Sequence, residues 1–372
     1  MSPSIGWLHI GDPHLEAADG WESRDRLRRI VAEANDHLGN LDFAFLPGDI
    51  ANNGLAEEYG ALHDALFPLR LPWRAIPGDH DMAPGGLGNF LGALAEANRP
   101  ETEVIAGHRC IFLDIVSGGG GGPDFRLTMH HRNRLAQELA IAAAAGQPAL
   151  VFMHAYPGDL AADGAEIARI IADAAVRFVS TGHTHYNELL NDGRTIYGAV
   201  RSTGQIEEAG GAPGYAVVCV HDGVPSWRFR PLGQPFPMLQ IVSPCDLRLA
   251  TRLFEPAQVP RPGPVDLVAR SFGPLSGPVQ ASVDDRAAAR LAPEPDGFWR
   301  GTIEIDRPGL FRVTVEGGGA WDEIELLVRP AEAPPKRRPP VALGESCHAI
   351  GCWPRAGLLG TRLGPNSNGR DW

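Results

Sequence analysis

Cysteine, lysine and long apolar runs are scarce in this sequence, and each shortage excludes something. The five cysteines of the 372 residues, at positions 110, 219, 245, 347 and 352, are odd in number and widely scattered, so no disulfide framework is implied. Cys347 and Cys352 stand close together, but in a tail with few other candidate ligands for a zinc knuckle. Lys336 is the only lysine; the 33 cationic side chains face 45 acidic ones, for a formal charge of −12. An acidic surface repels a phosphate backbone, so no stable nucleic-acid complex is expected. No apolar stretch reaches the roughly 18 residues of a membrane-spanning helix. Met1 to Gly11 lacks a charged region followed by an apolar run, so no signal peptide is expected, and the expected setting is cytoplasmic. What is present is ample core material: 44% of the residues are hydrophobic, which rules out general disorder.

Residues 1–235 alternate between strand and helix patterns, the signature of a layered α/β domain. Strands are expected at 5–10, 41–46, 73–76, 110–115, 149–153, 177–181, 195–200 and 215–220, and helices at 22–38, 55–66, 131–145 and 164–175. The Gly118 to Gly122 run does not read as a phosphate loop, because it lacks a Lys-Ser/Thr ending and opens no helix. Residues 236–330 lose helical periodicity. They show alternating segments divided by Pro, Gly and Asp, which predicts a small all-β sandwich. Residues 331–372 form a Pro-rich linker and a Gly/Asn/Pro-rich tail. Trp353 and Trp372 predict that this tail packs back on the body.

The chemistry is carried by Asp and His at the ends of five expected strands. Asp12 and His14 follow the first, Asp49 the second, and Asp79, His80 and Asp81 the third. His154 follows 150–153, and His183 and His185 follow 178–181. Singly, each reads as a turn former or a solvated polar residue. Together they differ, because the carboxyl ends of strands in an open α/β sheet line one crevice. Several carboxylates crowded there would repel one another without a cation. Two divalent metals relieve that repulsion, since carboxylate and imidazole are natural ligands for Mn, Fe or Zn.

The blocks Asp12-Pro13-His14, Gly48-Asp49, Gly78-Asp79-His80-Asp81, His154 and Gly182-His183-Thr184-His185 occur in order. In this the sequence resembles the calcineurin-like metallophosphoesterases, over about residues 5–235, and most nearly the cyclic-nucleotide phosphodiesterase-type branch. The resemblance implies a layered α/β fold for this part, and the β-sandwich expected over 236–330 is taken as immunoglobulin-like. The resemblance implies one metal on Asp12, His14 and His185, a second on Asp79, His154 and His183, and Asp49 bridging both. The cofactors would be two divalent or mixed-valence ions of Mn, Fe or Zn. A bridging water or hydroxide would be the nucleophile, and His80 the general acid or charge stabiliser at the leaving-group oxygen.

Two positions depart from the resembled pattern. Asp79 stands where the family usually has Asn, and Asn52 where it often has Asp. The expectation is that Asp79 ligates as an anion and that His80, facing a neutral Asn52, is less readily protonated. Other residues read more plainly. His108, His130, His131 and His348 lack partners at ligand spacing, and Arg201 suggests a structural ion pair. His9, Tyr156 and Tyr186 adjoin the blocks as supporting residues.

The expected activity is hydrolysis of a small phosphodiester such as a 3′,5′-cyclic nucleotide, in a chain able to form a homo-oligomer. The same metal core serves phosphomonoesterases and nucleases. A third reading is a catalytically weak binding protein acting through the β domain.

Overall fold

The computed structural model describes residues 4–330 apart from 192–193, 208–210 and 253, together with 346–347 and 351–352. In chain order the first part runs β1 (Ser4–His9), α1 (Glu22–His37), β2 (Phe43–Leu46), α2 (Ala56–Leu66), β3 (Trp73–Ala75), α3 (Gly88–Ala93), β4 (Thr102–Ile105), β5 (His108–Leu113), α4 (Met129–Ala144), β6 (Ala149–Met153), α5 (Gly164–Asp173), β7 (Phe178–Thr181), β8 (Glu188–Asn191), β9 (Ile196–Ala199), β10 (Gly214–His221) and β11 (Val224–Pro231). One sheet has the order β11-β10-β1-β2-β3, with β1, β2 and β3 parallel. A second carries β8-β9-β7-β6-β5-β4, in which β5, β6 and β7 are parallel. Residues 346–347 and 351–352 pair with each other, and Cys352 pairs with Glu188 at the β8 edge.

Strand periodicity explains the layers. Alternate residues of β1, β2 and β6 point to opposite faces. Trp7, Phe43, Phe45 and Phe152 fall in an aromatic core with Phe112 and Phe178. Leu8, Ala44, Leu46, Val151 and Met153 fall in a second core with Leu27, Leu62, Leu135 and Ile167 from the helices. Phe152 is the hub of the aromatic core, with ring centroids 5.5 Å from Trp7, 4.8 Å from Phe45 and 4.7 Å from Phe112. Strands buried on both faces read as continuous apolar runs, and Phe43–Leu46 is buried throughout. Helix α1 buries Leu27, Ile30, Val31 and Ala34, the spacing of a single helical face. The result is a layered α/β arrangement of two sheets with helices outside them.

The C-terminal region is rich in strands: β12 (Met238–Ser243), β13 (Gly263–Phe272), β14 (Val279–Val283), β15 (Arg286–Pro293), β16 (Phe298–Ile305), β17 (Gly309–Gly317) and β18 (Ala320–Val328). Their order is β12-β13-β16-β15-β14-β17-β18, around its own core of Leu267, Ile303, Val313 and Leu326. It is tied to the first part by polar contacts of Arg228 and Asn40, and the Ile241 amide bond fixes the Asp322 that Arg228 meets. Arg228 on β11 pairs with Asp322 at 3.0 Å, and the Ile241 amide donates to Asp322 at 2.7 Å. Asn40 donates to the carbonyls of Ser271 and Asp296. Of the expected tail, residues 331–345, 348–350 and 353–372 lie outside the described residues, including His348, Trp353 and Trp372.

Strand ends differ modestly from the sequence reading: β5 begins at His108, and β10 runs from Gly214 to His221. In the first part four elements were not legible: α3, β4, β8 and β11. β8 is buried throughout but only four residues long, while β4 lies at a sheet edge and shows neither the alternating nor the continuous apolar pattern. The burial of β4 is partial at every residue but one, which is exposed.

Candidate metal centre

The parallel strands deliver their carboxyl ends to one place. Backbone bridges knit the loops that leave them. Gly11 pairs with Ser202 and Leu15 with Ala51, and the His14 amide donates to the Asp49 carbonyl at 2.9 Å. Four of the loop residues that carry donors adopt left-handed backbone: His14 (φ 41), Asp49 (φ 48), His183 (φ 67) and His185 (φ 60). Such conformations cost about 1–3 kcal/mol each at non-glycine residues and persist where the surroundings over-determine them.

Glycine is needed where loops cross. At Gly78 an added Cβ would lie 2.2 Å from Asp49 Oδ1 and 2.4 Å from Asp49 N. At Gly48, with φ 115, it would lie 2.5 Å from His154 Nδ1. The expected Gly-Asp blocks are therefore contact points between loops as well as turns.

All seven expected ligands converge, in two sets. Asp12, His14, Asp49 and His185 place one donor atom each within 4.8 Å of one another, and so do Asp49, Asp79, His154 and His183. Asp49 belongs to both. In the first set His14 Nε2 lies 2.9 Å from His185 Nε2 and 3.6 Å from Asp49 Oδ2, and His185 Nε2 lies 3.8 Å from Asp12 Oδ2. In the second, His154 Nε2 lies 3.4 Å from Asp49 Oδ2 and 3.2 Å from Asp79 Oδ1, and His183 Nδ1 lies 3.5 Å from Asp79 Oδ1. Asp12, His14, Asp49 and His154 are fully or almost fully buried, and among the described residues Asp12 Oδ1 has no hydrogen-bond partner.

These groups strain one another electrostatically. Burial raises Asp12, which the nearby imidazoles only partly offset. Burial also raises Asp49, but His154 outweighs it and brings the carboxyl down to about 2. Burial lowers His14 to about 3, whereas His154, buried too, is held well above the ordinary imidazole value by Asp49 and Asp79. Buried carboxylates and two facing imidazole nitrogens, one acid oxygen unpartnered, fit cations better than they fit one another. The donor sets thus have the chemistry to hold two divalent ions, with Asp49 between them.

His80 stands beside both sets. Its backbone amide donates to Asp49 Oδ1 at 2.9 Å, and its ring meets the His14 ring edge to face at 4.5 Å. Its Nδ1 lies 2.7 Å from the Asn52 backbone carbonyl. The expectation for this pair is therefore corrected: the neutral amide of Asn52 does not face His80. Burial lowers the His80 pKa, but Asp49, the Asn52 carbonyl and Asp79 outweigh it, so His80 is protonated more readily than a free imidazole.

Several contributors were not read from the sequence. Asp81 accepts from the amides of Ile50, Ala51 and Gly78 and from the Tyr59 hydroxyl at 2.7 Å, tying three elements beneath the site. Phe125 packs edge-on against His183 at 4.8 Å. Glu207 Oε1 approaches His185 Nδ1 at 3.2 Å. Glu16 and Gln205 both contact Asn52. Only Asp81 carried a signal, as the last residue of a block already singled out.

Among the supporting residues, Ser180 Oγ and His9 Nδ1 lie 3.2 Å apart, and the Tyr156 hydroxyl donates to Glu188. Arg201 donates to the Ala212 carbonyl, and its guanidinium lies over the Phe229 ring. His130 and His131 do have a ligand-type neighbour, Glu101, contrary to expectation, and Arg134 also pairs with that carboxylate at 3.0 Å. Among the described residues no helix is long and apolar enough to cross a membrane.

Comparison with known proteins agrees with this geometry. Residues 7–187 match the calcineurin-like phosphoesterase family. A curated relative, the probable cyclic nucleotide phosphodiesterase of Vesicomyosocius okutanii, is 29% identical over 77 residues, which are 20% of this chain and 32% of that protein. The match thus spans about a third of that relative's length. A dimetal phosphatase from Danio rerio aligns with 62% of this chain and 98% of its own at a TM-score of 0.48 and 12% identity. The GAP50 anchor of the inner membrane complex of Plasmodium aligns with 62% of this chain and 85% of its own, at a TM-score of 0.44 and 13% identity. The family match and the donor sets coincide: residues 7–187, which form a calcineurin-like phosphoesterase domain, carry both sets.

Proposed function

We propose that this chain hydrolyses a small phosphodiester, of which a 3′,5′-cyclic nucleotide is the leading example. In this reading Asp12, His14 and His185 hold one divalent ion, Asp79, His154 and His183 hold the other, and Asp49 serves both. The observation that carries it is the pair of donor sets sharing Asp49. A pair of bound divalent ions supplies Lewis-acid charge for the phosphoryl oxygens and acidifies a water nucleophile.

The protein's own groups do the rest. Asp49 is fixed by the His80 amide and by the close approach of Gly78. His154 Nδ1 faces the Pro47 carbonyl at 2.8 Å, so the ring proton sits there and Nε2 points into the site. His80 is partly exposed beside Asp49 and holds its proton more tightly than a free imidazole. It is therefore suited to donate a proton to the departing sugar oxygen, whose alkoxide is a poor leaving group. The name of the curated relative supports the cyclic-nucleotide class. In the same reading the strand-rich region 236–330 is an immunoglobulin-like β-sandwich that docks on the catalytic part, the tail packs on the body, and the protein works in the cytoplasm.

The test is a substrate panel. After reconstitution with Mn²⁺ or Zn²⁺, bis(p-nitrophenyl) phosphate and 3′,5′-cyclic AMP should turn over faster than p-nitrophenyl phosphate. Preference for the monoester would replace this reading with a phosphatase. Absence of turnover with every metal would replace it with a binding protein.

A further inference from the structure

Asn52 is held on three sides. Its Nδ2 donates to Glu16 Oε2 at 2.9 Å, its Oδ1 accepts from Gln205 Nε2 at 2.8 Å, and the same Oδ1 lies 3.1 Å from His14 Nδ1. These contacts leave little freedom of assignment. An ionised carboxylate only accepts, so the amide NH₂ must face Glu16. The carbonyl end is thereby turned toward His14, and a carbonyl also only accepts. The His14 ring proton must then sit on Nδ1, leaving a lone pair on Nε2. That nitrogen is the one 2.9 Å from His185 Nε2 and 3.6 Å from Asp49 Oδ2.

We propose that Asn52 is the positioning residue of His14. It fixes the Nδ1–H tautomer and aims Nε2 at the donor set of Asp12, Asp49 and His185, while Glu16 fixes which way the amide faces. The inference rests on the two-ion reading above and deepens it. It also accounts for the departure at position 52. An aspartate there would set a second carboxylate against Glu16, at the 2.9 Å now spanned by a hydrogen bond, and two carboxylates at that distance repel. Asn52 is thus matched to Glu16, a residue outside the five blocks.

The experiment combines histidine ¹⁵N NMR with zinc competition on the full-length chain, for wild type, Asn52→Ala, Asn52→Asp and Asn52→Asp with Glu16→Gln. His14 in wild type should show the Nδ1–H tautomer both before and after zinc is added. Asn52→Ala should mix the tautomers and weaken one of two zinc affinities by roughly 10–100-fold, the usual loss when a partner of a ligating histidine is removed. Asn52→Asp should weaken the same affinity, and adding Glu16→Gln should restore it to within about threefold. A merely structural role for Asn52 would not yield that rescue. An unchanged tautomer and unchanged zinc affinity in Asn52→Ala would overturn the proposal, as would failure of Glu16→Gln to rescue. If wild type bound no zinc, the two-ion reading would fail, and the tautomer comparison would still decide the role of Asn52.

Discussion

Replacing Gly78 by alanine tests whether loop contact, and not turn chemistry alone, shapes the site. The added Cβ would meet Asp49 Oδ1 at 2.2 Å, Asp49 N at 2.4 Å and His154 Cε1 at 2.7 Å. An ordinary contact begins near 3.4 Å, so the two loops must part by about 1 Å. Overpacking of this kind costs about 1–3 kcal/mol. The movement also loosens the His80 amide bond to Asp49 and the Gly78 amide bond to Asp81, both 2.9 Å long. A displacement of about 1 Å at a positioned group can cost on the order of 100-fold in rate. The expected result is a fall in kcat of roughly 100-fold on bis(p-nitrophenyl) phosphate, with a lowered thermal midpoint. Gly86→Ala is the control: an added Cβ there meets nothing within 4 Å, so stability and rate should stay at wild-type values. Gly78→Ala with activity within twofold of wild type and an unshifted midpoint would refute the reasoning.

Other outcomes follow from the same geometry. Asp49→Ala removes the one donor common to both sets; metal analysis should show loss of both ions, and turnover should fall by about three orders of magnitude or more, since divalent ions supply several kcal/mol of charge stabilisation. Because the net effect on His80 is a raised pKa, its proton stays on until pH passes above the ordinary imidazole value. Turnover of a diester with an alkoxide leaving group should therefore fall on the alkaline side as pH rises through that raised value. His80→Gln should remove that limb of the kcat profile. Asp322→Ala strands the mostly buried Arg228 charge at the junction with β12 and β18. Breaking such a pair costs about 3–5 kcal/mol, readable by urea unfolding, and a loss below about 1 kcal/mol would contradict the junction described above.

The donor blocks were legible because each lies directly after a strand, so the sequence itself states where the side chain will emerge. Asp12, Asp49, Asp79, His154, His183 and His185 needed only the rule that parallel strands share a carboxyl end. Their surroundings were not legible for a physical reason. Asn52 reaches His14 across 38 positions and Gln205 across 153. No local period or turn rule encodes such pairings. The Asn52–His80 relation shows the limit clearly: proximity was foreseen, but it is the backbone carbonyl of Asn52 that meets His80, while its side chain turns to Glu16, His14 and Gln205. In the fold, the layered α/β part followed from continuous apolar runs, while the short β4 and β8 left too little pattern to be recognised.

The two sheets of the first part are joined very differently at their middle and at one rim. Between them lies the aromatic contact centred on Phe152; at the rim, each donor set draws on both sheets, Asp12 and His14 with His185, Asp79 with His154 and His183. Filling those sets with ions would clasp residues far apart in the chain into one unit. Resistance to heat and proteolysis should then rise with free metal concentration by the mass-action increment RT ln(1 + [M]/Kd). The same clasp would make the abundance of folded protein in a cell follow its supply of metal.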